Sequence, residues 1–530
     1  MADGYDVICV GGGLGGLAVA AEASARGLRV LVLEASSYAG GGGAYSGGLL
    51  WAPAGADDDV AAADAYLAHV QGERASDDAL RRSVVEAGLE AMAVGRDLGI
   101  DFEVVPGNPD VYHPQAPGSR AEGRMWEVAF DGRRLGARRG LLSPSPHYRI
   151  GLRHRELHGG HLDGEAVQDL FGEREAADLL TMGPGLAAAY LHAALTAGAD
   201  LRVGQRVEEL LVHDGRVSGV RTDDGTHHRS RSVVLATGGY GWSPEAADLE
   251  GLPDFVEAGP PTIRGDHLTL VEPLGAAVVR GGGPQFSMGA QVRPDDVHPG
   301  TRVPLHRQLF DVMGLPHTLV VNRAGRRFGD ESYYVGINAA LARWSADDKA
   351  WENVPCWLVV DEQFRRKYPL ASLPAGADYP DSMIHADDLA GLADRLGVDQ
   401  DALGATVAAF NEGAARGEDP SFGRGTRPFV RRRYGDPTHE PNANLGPVSE
   451  PPFHALPLRL LGTGMCTFGI RTDAHARVER RSGSHVPGLY AIGNAAATTE
   501  FRGYVTGYAN TRNIAMAHRA VVHLTSERDT

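Results

Sequence analysis

A chain of 530 residues with 43% hydrophobic content holds more apolar sequence than one small core needs, so two domains are expected. A formal net charge of −17, relieved only by short basic clusters at Arg431 to Arg433 and at Arg153 and Arg155, leaves no electrostatic footprint for nucleic acid or anionic lipid. Cys9, Cys356 and Cys466 form no CxxC pair, which speaks against a disulfide framework, an iron–sulfur cluster or a thiol redox centre and fits a reducing cytoplasm.

Met1 leads without a basic leader into the strand-like YDVICV, and no run of about 18 apolar residues follows anywhere. A soluble, unexported, cytoplasmic protein with no membrane span is therefore expected. Residues 6–34 then read strand, glycine turn, helix, strand, the compass of one βαβ unit. Gly11, Gly13 and Gly16 supply G-x-G-x-x-G: the first for a sharp turn, the second for backbone approach to a pyrophosphate, the third for helix packing on the strand. Glu34 ends the second strand where a carboxylate would accept a ribose diol.

That fingerprint serves NAD or FAD, and later segments decide between them. ASSYAGGGGAYSGGLLWAP, from Ala35 to Pro53, is a second glycine-rich loop with Ser46 in it. LRVGQRVEELLVHDGRVSGV reads as two strands turning at Asp214-Gly215, and SVVLATGG as an apolar strand ending at Thr237-Gly238-Gly239. PGLYAIGNA repeats the pattern near residue 490. An extended FAD touching several segments explains this better than a compact NAD, and no second G-x-G-x-x-G opens a further nucleotide domain.

The flavin loop with Ser46-Gly47-Gly48 and Trp51-x-Pro53, together with residues 183–201, RGDHL at 264–268, residues 315–332, 355–370 and 401–425, and GLYAIGNAAA, resembles the FAD-dependent 3-ketosteroid dehydrogenases. These belong to the wider fumarate reductase and succinate dehydrogenase flavoprotein group. The resemblance covers nearly the whole chain. It implies an α/β fold: a Rossmann-like FAD-binding domain, residues 1–275 and 455–530, with an inserted α+β substrate (cap) domain, residues 276–454. The proline-rich crossover GPVSEPPFHALP fits a return into the first domain at Ala455 to Pro457. FAD contacts are assigned to Gly11, Gly13, Gly15, Gly16, Glu34, Ala35, Gly41, Gly42, Gly43, Ser46, Gly47, Gly48, Val207, Ala236, Thr237, Gly238, Asp266, Gly493 and Asn494.

Reductases of fumarate-like acids carry a substrate-clamping arginine in the C-terminal loop, and an arginine acting as acid before V-N-x-x-G-x-R-F. Here Tyr504 holds the loop position, Gly314 stands about where the acid would, and no arginine lies between residues 308 and 322, so that chemistry is disfavoured. A phenol suits another reaction. Introducing a double bond beside a ketone needs a polarised carbonyl, a base for the α proton and a flavin to accept hydride from the β carbon. The resemblance gives Tyr504 and the Gly507 N–H the ketone, although in 4-ene-forming relatives the same tyrosine abstracts the proton. It gives the base to a tyrosine near GDESYYVG, leaving Tyr333 and Tyr334 as competitors with Tyr334 preferred, and makes Tyr112 in NPDVYHPQAPG an assistant. Arg327 and Glu331 read as structural support, and His267, His317 and His454 as surface or core histidines without metal-ligand spacing.

YVTGYANTR departs from the YPG-like continuation of the 1-dehydrogenases, and Tyr508 narrows the pocket unless it turns away. Arg502 and Arg512 flank this loop as surface ion pairs or as clamps for a substrate carboxylate. The expectation is an FAD-dependent oxidoreductase acting on a CH–CH group of a cyclic ketone, a 3-ketosteroid first and a smaller oxocyclohexane carboxylate second, with an ene-reductase as rival. The electron acceptor is left open among a quinone-like dye, a partner flavoprotein and oxygen.

Overall fold

The computed structural model describes residues 4–53, 59–72, 78–148, 151–159, 164–497 and 503–527. Two compact units divide the chain: residues 1–249, 259–284 and 464–530 form the first, 250–258 and 285–463 the second.

In the first unit the strand Tyr5–Val10 pairs in parallel with Val30–Glu34 on one flank and with His227–Leu235 on the other. Asp200–Val203 extends this Rossmann-like sheet beyond Val30–Glu34, and His485–Ala491 extends it beyond His227–Leu235. A parallel sheet is covered on both faces, which is why VLVLE is one unbroken buried run. His227–Leu235 shows two patterns in one strand. Burial alternates through HHRSR, where it pairs antiparallel with Arg216–Thr222, and is continuous through SVVL in the parallel sheet. The turn between Val207–His213 and Arg216–Thr222 has φ of 49° at Asp214 and 75° at Gly215, the positive pair that a two-residue hairpin needs. Helix Leu14–Ala25 packs against helices Met182–Thr196 and Tyr508–Ser526 and is buried from Leu14 to Ser24.

The second unit is built on a seven-stranded sheet whose central strand, Phe453–Gly462, pairs antiparallel with Phe286–Ala290 and Cys356–Val360 and parallel with Phe255–Glu257. Thr318–Asn322 lies beyond Cys356–Val360. Val320, Leu358 and Val360 face one core, while Leu319, Val321, Trp357 and Val359 face another, so the period of two is present although both sets are apolar. Helices Leu389–Leu396 and Gln400–Ala415 contribute to the second of these cores, with Asp388 and Asp399 capping their N-termini.

The units depart from the expected limits at both crossings. Ala455 to Pro457, read as the return into the first domain, lie inside the central strand of the second sheet, and the first unit resumes at Gly464. Phe255–Glu257 belongs to the second unit, whereas Val278–Arg280 pairs with Phe468–Ile470 in the first. Short apolar strands read alike for either sheet, so composition does not assign them to one unit. Among the described residues no helix is long and apolar enough to cross a membrane.

Candidate active site and cofactor cradle

At the end of the first strand Gly11 turns with φ of +110°, and a β-carbon on it would stand 2.3 Å from Ala236 O. Gly16 admits none either, because its β-carbon would meet Gly11 O at 2.0 Å. The helix therefore starts hard against the strand end, as the third glycine of the fingerprint requires. Gly13 is its N-cap, with no side-chain cap, which leaves the first-turn N–H groups, Gly15 and Gly16 included, for an anion. Gly13 also bridges to Gly40, where the short helix Gly41–Tyr45 begins with Gly42 and Gly43, and Gly40 N donates to Gly12 O at 2.8 Å. The two glycine loops are thus one surface.

Glu34 closes the far side. Its carboxylate accepts from Gly12 N and Ser36 N, both at 2.7 Å, flanking the half-buried Ala35. Burial pushes its pKa up, against those two N–H groups and the Arg206 guanidinium. Arg206 pairs with Asp266, at the start of helix Asp266–Val271. Burial likewise raises Asp266, opposed by Arg206. Val207 follows as the buried first residue of its strand. Thr237 Oγ1, between Ala236 and Gly238, is buried with no partner in the protein. Ser46 Oγ donates to Gly43 O (2.8 Å) and accepts from Gly48 N (3.0 Å) and Asn510 Nδ2 (3.2 Å). Asn494, in the turn Gly493–Ala495, donates to Gly464 O (2.7 Å) and accepts from Arg512 Nη2 (2.6 Å).

Two of the phenols meet in this unit. The Tyr112 and Tyr504 rings stand edge to face, centroids 5.4 Å apart at 61°. The Tyr112 loop is anchored two residues earlier by Asp110, which accepts from Trp51 Nε1 (2.8 Å), Arg120 N (2.9 Å) and Arg124 Nη1 (3.0 Å). Arg124 in turn lies over the Trp51 and Tyr66 rings, at 5.2 and 5.7 Å. The Tyr504 loop ends at Gly507, the N-cap of Tyr508–Ser526, with φ of +80° and Leu50 C only 2.8 Å from a β-carbon position. Trp51 N donates to Thr511 Oγ1 (2.8 Å) and Asn510 Nδ2 to Leu49 O (2.9 Å), stitching the helix start to the loop that follows the second glycine cluster. Tyr508 is 1% exposed and packs edge-on against Trp51, so it has turned into the core.

The second unit holds the other two phenols, at the start of helix Tyr334–Leu341. Tyr334 Oη donates to Phe286 O at 2.8 Å. The Arg427 guanidinium covers the Tyr333 ring at 3.9 Å and pairs with Asp330 at 2.6 Å. Burial raises the Tyr333 pKa, with Arg427 pulling it back. Arg327 clamps Glu331 (2.6 Å) and Asp419 (2.9 Å), while Glu331 Oε1 accepts from Val320 N (3.2 Å), a supporting role. His267, His317 and His454 are all buried.

The chain matches the profile of the FAD binding domain family over residues 6–511. It belongs to that family. It is 32% identical to a 4-oxocyclohexanecarboxylate 2-dehydrogenase of Sinomonas cyclohexanicum over 94% of this chain and 89% of that one. A 3-oxosteroid 1-dehydrogenase of Mycobacterium tuberculosis is 30% identical over 93% of each chain. The crystal structure of a 3-ketosteroid Δ1-dehydrogenase from Sterolibacterium denitrificans, in complex with 1,4-androstadiene-3,17-dione, superposes with a TM-score of 0.87 at 26% identity, covering 99% of this chain and all of that one.

FAD is the cofactor, and the residues present fit it: an uncapped helix N-terminus at a glycine turn, a buried carboxylate at Glu34 and an orphaned hydroxyl at Thr237. Arg512, one of the two arginines considered as carboxylate clamps, is 1% exposed and bound to Asn494; Arg502 lies outside the described residues. The sequence reading missed Asp110, Arg124 and His113 around the phenols. It also missed His154, whose Nε2 hydrogen-bonds Gly47 O at 2.6 Å, and Arg206 beside Glu34. Asp110 and His113 lie in NPDVYHPQAPG and Arg206 in LRVGQRVEELLVHDGRVSGV, but the local pattern does not show what they touch. Each acts on a partner far along the chain.

Proposed function

We propose that this FAD-binding chain is a dehydrogenase that introduces a C=C bond beside a ring ketone. The reading rests on the Tyr112–Tyr504 pair, with Val505 and Thr506 leading from Tyr504 to Gly507, within an FAD-binding unit. When bound, FAD supplies the acceptor for hydride from the β carbon. Tyr504 O–H donates to the ketone oxygen, and Gly507 N–H, which as an N-cap amide has no intrahelical partner, donates beside it. Neutral donors suit an apolar ring better than a buried cation would. Tyr112 packs against Tyr504 and holds its direction.

Of the two phenols of the second unit, Tyr333 is the better candidate base and Tyr334 the poorer. Tyr334 already gives its proton to Phe286 O, and a phenolate there would face a carbonyl, whereas at Tyr333 burial raises the pKa and Arg427 over the ring offsets part of that. Loss of one proton and one hydride balances the new double bond, and an external acceptor takes the two electrons. Gly11 to Gly16, Glu34, Thr237, Ser46, Gly493 and Asn494 hold the cofactor.

A 3-oxosteroid is the favoured substrate. Tyr508 is packed into the core and does not narrow the loop, and Arg512 is buried with its Nη2 on Asn494. A smaller oxocyclohexane carboxylate is the second reading, favoured by the relative at 32% identity. Anaerobic mixing of the oxidised enzyme with each ketone tests both: loss of the flavin absorbance at about 450 nm identifies the substrate. Reoxidation of chemically reduced enzyme by an enone, with no reduction by either ketone, would instead make it an ene-reductase.

A further inference from the structure

His113 directly follows Tyr112, and its ring fills the space at Gly503, the residue before Tyr504. A β-carbon on Gly503 would stand 2.6 Å from His113 Nε2 and 2.8 Å from both His113 Cε1 and Val70 Cγ1. The imidazole packs edge-on against Tyr66 with centroids 6.5 Å apart, and Ala116 N donates to His113 O at 3.0 Å, so ring and backbone are both held. The ring also hydrogen-bonds the Tyr504 backbone in the sense that favours its protonated form, which makes an imidazole N–H the donor. Nε2 is buried with no partner in the protein, which leaves Nδ1–H to make that bond and fixes the tautomer. Burial and the neighbouring His69 hold the His113 pKa below the ordinary histidine range, so the ring is neutral at neutral pH.

We infer that His113 is a positioning residue for the phenol pair, a single ring wedged between the Tyr112 loop and the Gly503–Gly507 turn that sets how the two phenols stand to each other. It acts through the backbone of Tyr504. Gly503 is its complement, since any side chain there would drive the ring out. The inference rests on the dehydrogenase reading, in which the direction of the Tyr504 O–H matters.

Two variants of the FAD-loaded enzyme separate positioning from bulk. His113→Phe keeps an aromatic ring against Tyr66 and Gly503 but has no donor, whereas the Nδ2–H of His113→Asn can replace Nδ1–H. With the ketone that reduces the wild type, the limiting rate of flavin reduction should fall about 10–100-fold in His113→Phe with half-saturation little changed, and recover to within about fivefold in His113→Asn. Independently of turnover, spectra of enzyme labelled with 15N-histidine should show one neutral ring protonated at Nδ1 that disappears in His113→Asn. Equal losses in both variants, a change confined to half-saturation, or a proton on Nε2 would overturn the inference. Should no ring ketone reduce the wild type, the functional reading falls, and the tautomer still decides whether His113 holds the Tyr504 turn.

Discussion

Replacing Asp110 by asparagine should destabilise the first unit by about 3–5 kcal/mol, because the buried Arg124 loses the charge that Asp110 sets against it. The Arg124 and Asp110 side chains are 1% and 0% exposed, so water does not screen the loss. The asparagine also turns an NH2 group toward one of three donors, Trp51 Nε1–H, Arg120 N–H or Arg124, adding about 1–3 kcal/mol for a buried group left unmatched. Removing both charges in Asp110→Asn/Arg124→Met should restore about 2 kcal/mol or more, since a buried charge facing a neutral group costs more than the absence of both charges. Urea unfolding of the FAD-loaded chain, followed by flavin fluorescence, isolates the first unit in a chain that does not unfold in one step. If the double variant loses the sum of the two single losses, Asp110 and Arg124 are not coupled, and the anchor of the Tyr112 loop must be sought elsewhere.

Tyr504→Phe keeps the edge-to-face packing on Tyr112 and removes only the O–H, so flavin reduction by the ketone should slow about 10²–10³-fold at unchanged FAD content. A rate within threefold of wild type would take the ketone away from Tyr504. Tyr333→Phe should slow reduction more than Tyr334→Phe, and the opposite order would move the base to Tyr334. His267 is fully buried with both ring nitrogens unpartnered, and burial pushes its pKa down to about 4. The unfolded ring binds a proton near pH 6.5 and the folded ring only near 4. Its contribution to stability is therefore complete above about pH 6.5 and is lost toward pH 4, at up to about 1.4 kcal/mol per unit. His267→Gln should flatten that acid slope when the first unit is followed by flavin fluorescence; an unchanged slope would place the titration elsewhere.

The βαβ start was legible because each of its signals is local: the apolar run, the glycine spacing and the acid at Glu34 all fall within one short segment. Asp214-Gly215 was legible for the same reason. The return into the first unit was set at Ala455 to Pro457, inside Phe453–Gly462, because the apolar residues of that strand suit either sheet. The importance of Tyr112 and Tyr504 came through motif resemblance, whereas their contact depends on Asp110 and His113, whose partners Trp51, Arg124 and Gly503 are remote in sequence. The inward turn of Tyr508 was equally hidden, since it follows from Trp51 offering a ring edge.

The place of His485–Ala491 in the first sheet has a consequence for synthesis. This strand completes the edge of His227–Leu235, and helix Tyr508–Ser526 packs on Leu14–Ala25, the helix that begins at the glycine turn. At 5–20 residues per second the ribosome needs about 12–50 s to travel from Leu235 to His485. Throughout that interval the edge of His227–Leu235 presents open N–H and C=O groups, a template for pairing with another nascent chain. The second unit has all its strands by Gly462 and is free to fold first, so the part of the protein begun earliest is the part finished last.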